Sequence, residues 1–122
     1  MRHNGPDAPP IDLERAVREF LGDQDMVAEL VPEFIQVTEQ DVRLLGQALT
    51  DRDLETLVIT AHRIAGAAAN LAMQPLARAA LRLEQAAGKN APQTELSRLV
   101  ASCEAETERL QRCPHVRALR KD

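Results

Sequence analysis

Apolar residues recur along this chain at three- and four-residue steps, and the steps break only at short clusters of Gly, Pro and Asp. A helix turns once every 3.6 residues, so such spacing lays each run along one helical face, whereas a half-buried strand would need strict alternation. No alternating stretch occurs, and the pattern predicts a set of amphipathic helices with no sheet. Composition narrows what fills their interior. Of 122 residues, 44% are hydrophobic but only 2% aromatic, Phe20 and Phe34 being the sole Phe, Tyr or Trp. Leu, Val, Ile and Ala must build the core, and side chains this small favour closely packed helices. A chain of this length supports one domain around one core.

The breaks set the expected elements. Asp12 caps a short helix with Leu13, Ala16, Val17, Phe20 and Leu21 on one face, closing at Gly22. A second helix begins at Asp23 to Asp25 and runs to about Leu49 through Val27, Leu30, Val31, Phe34, Thr38, Val42 and Leu45. Pro32 lies inside it and removes a bond to the carbonyl of Ala28, which predicts either a kink over residues 28–32 or a fresh start at Pro32. Asp51 or Asp53 caps a third helix that turns Leu54, Leu57, Val58, Ala61, Ile64, Ala65, Ala68 and Leu71 inward. Gln74-Pro75 opens a fourth that Gly88 stops, and Pro92 opens a fifth that ends at Pro114. Short connections favour antiparallel neighbours, so the fold class is all-α. It is an up-down-up-down four-helix bundle with a short additional N-terminal helix over one end. Residues 1–10 are expected as a flexible leader, 11–113 as the bundle and 114–122 as a solvated basic tail.

Several function classes fall away on composition. A net charge of −4 argues against nucleic acid as a partner. No apolar run approaches the ~20 residues that span a bilayer, and the polar N-terminus lacks the apolar core of a signal peptide, so a cytoplasmic protein that does not engage membranes is expected. Cys103 and Cys113 have no metal-ligand spacing; Cys103 continues an apolar stripe as a buried free thiol, and Cys113 sits inert at a helix end. The inward stripes hold no Glu-x-x-His pattern, which leaves no metal or cofactor site in the bundle. No Gly-rich nucleotide loop is present, so the chain has no means of phosphorylating itself from ATP.

The chemistry concentrates at His62. It falls about 100° from an apolar stripe centred on Ala61, which exposes the imidazole on the flank of the third helix. Glu55, Ile59, Gly66 and Ala69 share that flank, with Arg63 farther round towards solvent. Glu55 lies two turns below, about 10 Å along the axis, too far to orient the ring, and is taken as a solvated surface charge. A neutral imidazole is a nucleophile near pH 7 without any local base. Gly66 is the unusual neighbour: a glycine inside a helix costs roughly 0.8 to 1.0 kcal/mol against alanine, and the small residues around it are already Ala. Its position one turn above His62 suits clearance for something approaching the ring.

The run Ala-His-Arg-Ile-Ala-Gly-Ala-Ala-Ala-Asn-Leu-Ala, residues 61–72, resembles the histidine-containing phosphotransfer (HPt) domain family, whose hallmark is Ala-His-x-Leu-Lys-Gly followed by small residues. The resemblance extends from residue 11 to about 112 and takes in the Phe34 region, the Asp53 helix start and the Leu83-Glu84 pair. It implies that His62 is the phosphorylated nucleophile, Gly66 the clearance glycine and Ile64 the occupant of the usual Leu position. Ala65 replaces the family's lysine, and Ala72 stands where a glycine is common. By this resemblance the partners are receiver domains of response regulators or hybrid histidine kinases. They dock on a face formed by Ile59, Arg63, Ala65, Gly66, Ala69 and part of the second helix. The chain itself works as a monomer without a cofactor, the divalent metal being carried by the receiver. Arg63 or Lys89 could stand in for the missing lysine, though both read more simply as surface charges, as does Glu84. The alternative function is a degenerate module that docks on a receiver or kinase without carrying phosphate; Ala65 is its support.

Overall fold

The computed structural model describes residues 8–119. Six helices follow one another: α1 (Leu13–Glu19), α2 (Gln24–Thr50), α3 (Leu54–Asn70), α4 (Gln74–Gly88), α5 (Gln93–Arg112) and α6 (Pro114–Arg117). Helices α2 to α5 close into a ring in which each packs on its chain neighbours and α5 returns to α2. The short α1 rests against α2, and the backbone N–H of Asp12 donates to the carbonyl of Ala72 at 3.0 Å, fastening the N-terminal segment to the α3–α4 turn. The fold is therefore the all-α four-helix bundle with a short N-terminal helix that the spacing predicts.

Local chemistry sets the helix boundaries. Asp12, Asp23 and Asp53 cap α1, α2 and α3, each accepting from the N–H three residues on at 3.0, 3.0 and 3.1 Å. Asp53 also accepts from the Thr56 hydroxyl at 2.7 Å, and these bonds hold its carboxyl below the ordinary carboxylate range. The four connections between α1 and α5 share one device. A residue in left-handed backbone, Leu21 (φ 57°), Arg52 (φ 47°), Ala72 (φ 58°) or Asn90 (φ 59°), follows each helix, and the next N–H closes back on the helix. Those bonds, such as Asp53 to the carbonyl of Ala48 at 2.8 Å and Met73 to that of Ala68 at 2.9 Å, are Schellman closures. Helix α4 thus stops through Asn90 and not through left-handed backbone at Gly88. Arg52 converts its turn into a staple, donating to Gln93 Oε1 and Asn90 Oδ1 at 2.9 Å each and to the Ala91 carbonyl at 3.0 Å.

Leu45, Leu57, Ile64, Met73, Leu76, Leu83, Leu96 and Leu110 form the centre, while both phenylalanines sit at its edge. Helices α3 and α4 make the closest pair, and Ala61, Ala68, Ala79 and Ala80 line their buried sides, as expected where backbones approach through small side chains. Helix α2 passes through Pro32 as one continuous element, so there is no fresh start at that residue. Val27, Val31 and Ile35 are buried on both sides of the proline, and their packing holds the helix together across the missing bond.

Packing reaches beyond the expected limits of 11 and 113. Ala8 is buried and its carbonyl accepts from the Arg109 guanidinium, while residues 1–7 of the expected leader lie outside the described residues. At the other end Pro114 starts a further helical turn that buries Val116 completely, so this part of the expected tail is packed and not solvated. Cys103 is a buried free thiol whose pKa desolvation pushes up to about 12; Cys113 is free and half-buried. Among the described residues no helix is long and apolar enough to cross a membrane.

Candidate functional site

Burial of Leu57, Ala61, Ile64 and Ala68 fixes the rotation of α3 and leaves His62 on its outer flank, the side chain 76% exposed. The ring is nevertheless held. Nδ1 lies 3.0 Å from Glu84 Oε2 on α4, and the Glu84 side chain is only 24% exposed. A carboxylate can only accept, so in the neutral imidazole the proton belongs on Nδ1 and the lone pair on Nε2. The second nitrogen is thereby left as the nucleophilic atom. Glu84 is thus not a plain surface charge. His62 and Glu84 are equidistant in sequence from Met73 in the α3–α4 turn, and counting outward from that turn is the one sequence signal that could have paired them.

Arg63 also departs from expectation. In place of a solvated charge, its Nε and Nη2 grip Asp41 of α2 at 3.3 and 2.9 Å. The Asp41 side chain is 12% exposed, and its carboxylate raises the guanidinium pKa further. This pair ties α2 to α3 and keeps the arginine from serving as a loose cation over Nε2. Lys89 is exposed at the C-cap of α4, more than a turn beyond Glu84. Ala65 is half-buried and brings no charge to the position that the lysine takes in the sequence pattern.

Gly66 and Ala69 are exposed above His62, and Ile59 is exposed below it. A Cβ built on Gly66 would meet nothing within 4 Å. Internal packing therefore does not require this glycine, which removes close helix contact as its reason. Glu55 is exposed in the first turn of α3, where a carboxylate favours the positive end of the helix dipole. Three further exposed apolar residues frame the same face: Val37 and Leu44 on α2, one turn either side of Asp41, and Leu81 on α4, one turn before Glu84. They escape a sequence reading because residues off the buried stripe are visible as a surface only once the helices are set side by side. Among the described residues no three His, Cys, Asp or Glu gather as a metal-ligand set.

The site is thus an exposed histidine on a helical bundle, backed by a carboxylate and with open space at the glycine one turn above it, an arrangement that leaves the imidazole accessible from outside. The family model for the Hpt domain matches residues 29–113, and the chain belongs to that family. Hpt domains carry out histidine phosphotransfer in two-component phosphorelays. No curated protein and no solved structure matches the chain.

Proposed function

We propose that His62 accepts a phosphoryl group from an aspartyl phosphate on one receiver domain and passes it to another. The observation that carries this is the 3.0 Å contact between Nδ1 and Glu84 on an otherwise exposed ring. Nε2 attacks phosphorus in line, the N–P bond forms as the P–O bond to the receiver's aspartate breaks, and the carboxylate leaves with the electron pair. The proton stays on Nδ1. The imidazolium so created is balanced by Glu84, and in onward transfer the ring departs as neutral imidazole with its proton still held. Glu84 acts here as a positioning residue that fixes ring orientation and tautomer.

Ile59, Ala65, Gly66 and Ala69, with Arg63 at the edge, make the docking face, and Val37, Leu44 and Leu81 extend it onto the flanking helices. The small residues admit the receiver's phosphoaspartate loop, and the apolar ring supplies contact area. With Ala65 in the lysine position, the charge on the phosphoryl oxygens is met by the receiver, which contributes the divalent metal. The chain works as a cytoplasmic monomer. The docking-only alternative draws on Ala65 alone, and it predicts binding without any phosphohistidine. Incubation with receiver domains phosphorylated by acetyl phosphate separates the two: an acid-labile, base-stable label absent from His62→Gln supports transfer. Receiver binding with no label on the wild type overturns it.

A further inference from the structure

Arg63 spends only one edge of its guanidinium on Asp41. Nε and Nη2 face the two carboxylate oxygens, while Nη1 and the outer hydrogen of Nη2 have no partner among the described residues, and the side chain remains 52% exposed. Asp41 is almost covered, so the pair is anchored at one end and open at the other. An ion pair needed only to join two helices has little advantage over an apolar pair of similar size, because desolvation offsets much of the attraction. What it does provide is a cation held in one orientation. Arg63 is also the only Lys or Arg on α3; exposed Ile59 lies one turn before it, and exposed Val37 and Leu44 lie one turn either side of its partner Asp41.

We propose that Arg63 is a specificity-determining residue of this face, its open edge reading a carboxylate on the docking receiver, with Asp41 as the residue that positions it. This rests on the phosphotransfer reading above and names one feature of the partner. When the apolar residues around Arg63 are covered, its remaining N–H groups lose water and must find an acceptor, and a planar carboxylate meets both their geometry and their charge. The position is about 100° round the helix from His62, outside the path of the phosphoryl group. Arg63 therefore selects the partner and takes no part in the chemistry.

The test uses a receiver domain, phosphorylated with acetyl phosphate, that labels the wild type. The double variant Asp41→Asn with Arg63→Gln keeps a hydrogen-bonded pair between α2 and α3 but removes both charges. Expected is a rise in KM for the phosphorylated receiver of roughly tenfold, with kcat at saturation within about threefold of wild type. In a second arm, Arg63→Glu is combined with receiver variants, each still labelled by acetyl phosphate, in which single exposed acidic residues around but outside the phosphorylation pocket are changed to Lys. One of these should restore transfer, a rescue that a merely structural pair would not give. An unchanged KM in the neutral double variant, or failure of every Lys variant to rescue, overturns the assignment. If no receiver labels His62 in the wild type, the phosphotransfer reading itself fails; labelling that ignores Arg63 defeats this inference alone.

Discussion

Gly66 should be dispensable for folding and needed for transfer, and the two effects can be measured apart. A Cβ at Gly66 touches nothing within 4 Å, and the same is true of Gly46 in the middle of α2. Replacing either glycine by alanine should therefore deliver the full helix-propensity gain of about 0.8 to 1.0 kcal/mol. For a chain of 122 residues, an unfolding entropy of about 2.1 cal/mol/K per residue converts 1 kcal/mol into a rise in Tm of about 4 °C. Gly46 lies on the flank of α2 turned towards α5, away from Asp41, so Gly46→Ala should raise Tm and leave transfer alone. Gly66→Gln keeps a good helix former without adding charge, so it should also be at least as stable as wild type. Its side chain, however, occupies the space above His62 through which the receiver approaches, and transfer should fall by more than about tenfold. Calorimetry and transfer from a phosphorylated receiver make the comparison. Wild-type transfer by Gly66→Gln, or destabilisation by Gly66→Ala, would refute the clearance role.

Three further outcomes follow from the geometry. Leu21 is 98% exposed in left-handed backbone, so Leu21→Gly should stabilise by about 0.5 to 1 kcal/mol in chemical denaturation, the relief of strain less the entropy of glycine. Ala72→Gly gains the same relief but removes a buried methyl, and should be close to neutral; a loss of stability in Leu21→Gly contradicts the strain argument. Ala65→Lys places a cation one turn from His62, where a charge pair in near-aqueous surroundings is worth about 1 kcal/mol, so single-turnover phosphoryl acceptance should quicken about fivefold. With its pKa pushed up to about 12, Cys103 should resist thiol reagents in native protein at pH 8, while Cys113, only half-buried, should react despite the inert role its place at a helix end suggests in the sequence. Titration should find one reactive thiol before unfolding and two after, and two before unfolding would show that the core opens at Cys103.

The helices and their starts are legible in the sequence because both are local. Asp12, Asp23 and Asp53 announce their helices by side-chain chemistry with the next turn, and His62 beside Gly66 is visible on a single helical wheel. Glu84 and the Asp41–Arg63 pair are not local. Each joins residues on different helices, and the register between helices is set by turns whose left-handed residues, Arg52 and Ala72, are not the glycines that usually mark such a turn. Ala8 and Val116 escape for another reason: Ala8 is a single small residue among prolines, and Val116 lies beyond Pro114 in a turn too short for its spacing with Cys113 and Leu119 to stand out as a period. The sequence thus points to His62, and only the packed bundle shows which ring nitrogen faces Glu84 and what holds the ring.

In the proposed transfer His62 is phosphorylated on Nε2 while Nδ1 keeps its proton against Glu84. Nitrogen-15 NMR of histidine-labelled protein, before and after exposure to a phosphorylated receiver, tests it at the level of the atom. Expected are the Nδ1–H tautomer in the free protein and phosphorus coupled to Nε2 alone after transfer, with the tautomer preference weakened in Glu84→Ala. Phosphorus on Nδ1, or a His62 ring that stays unmodified while the receiver loses its phosphate, would contradict it.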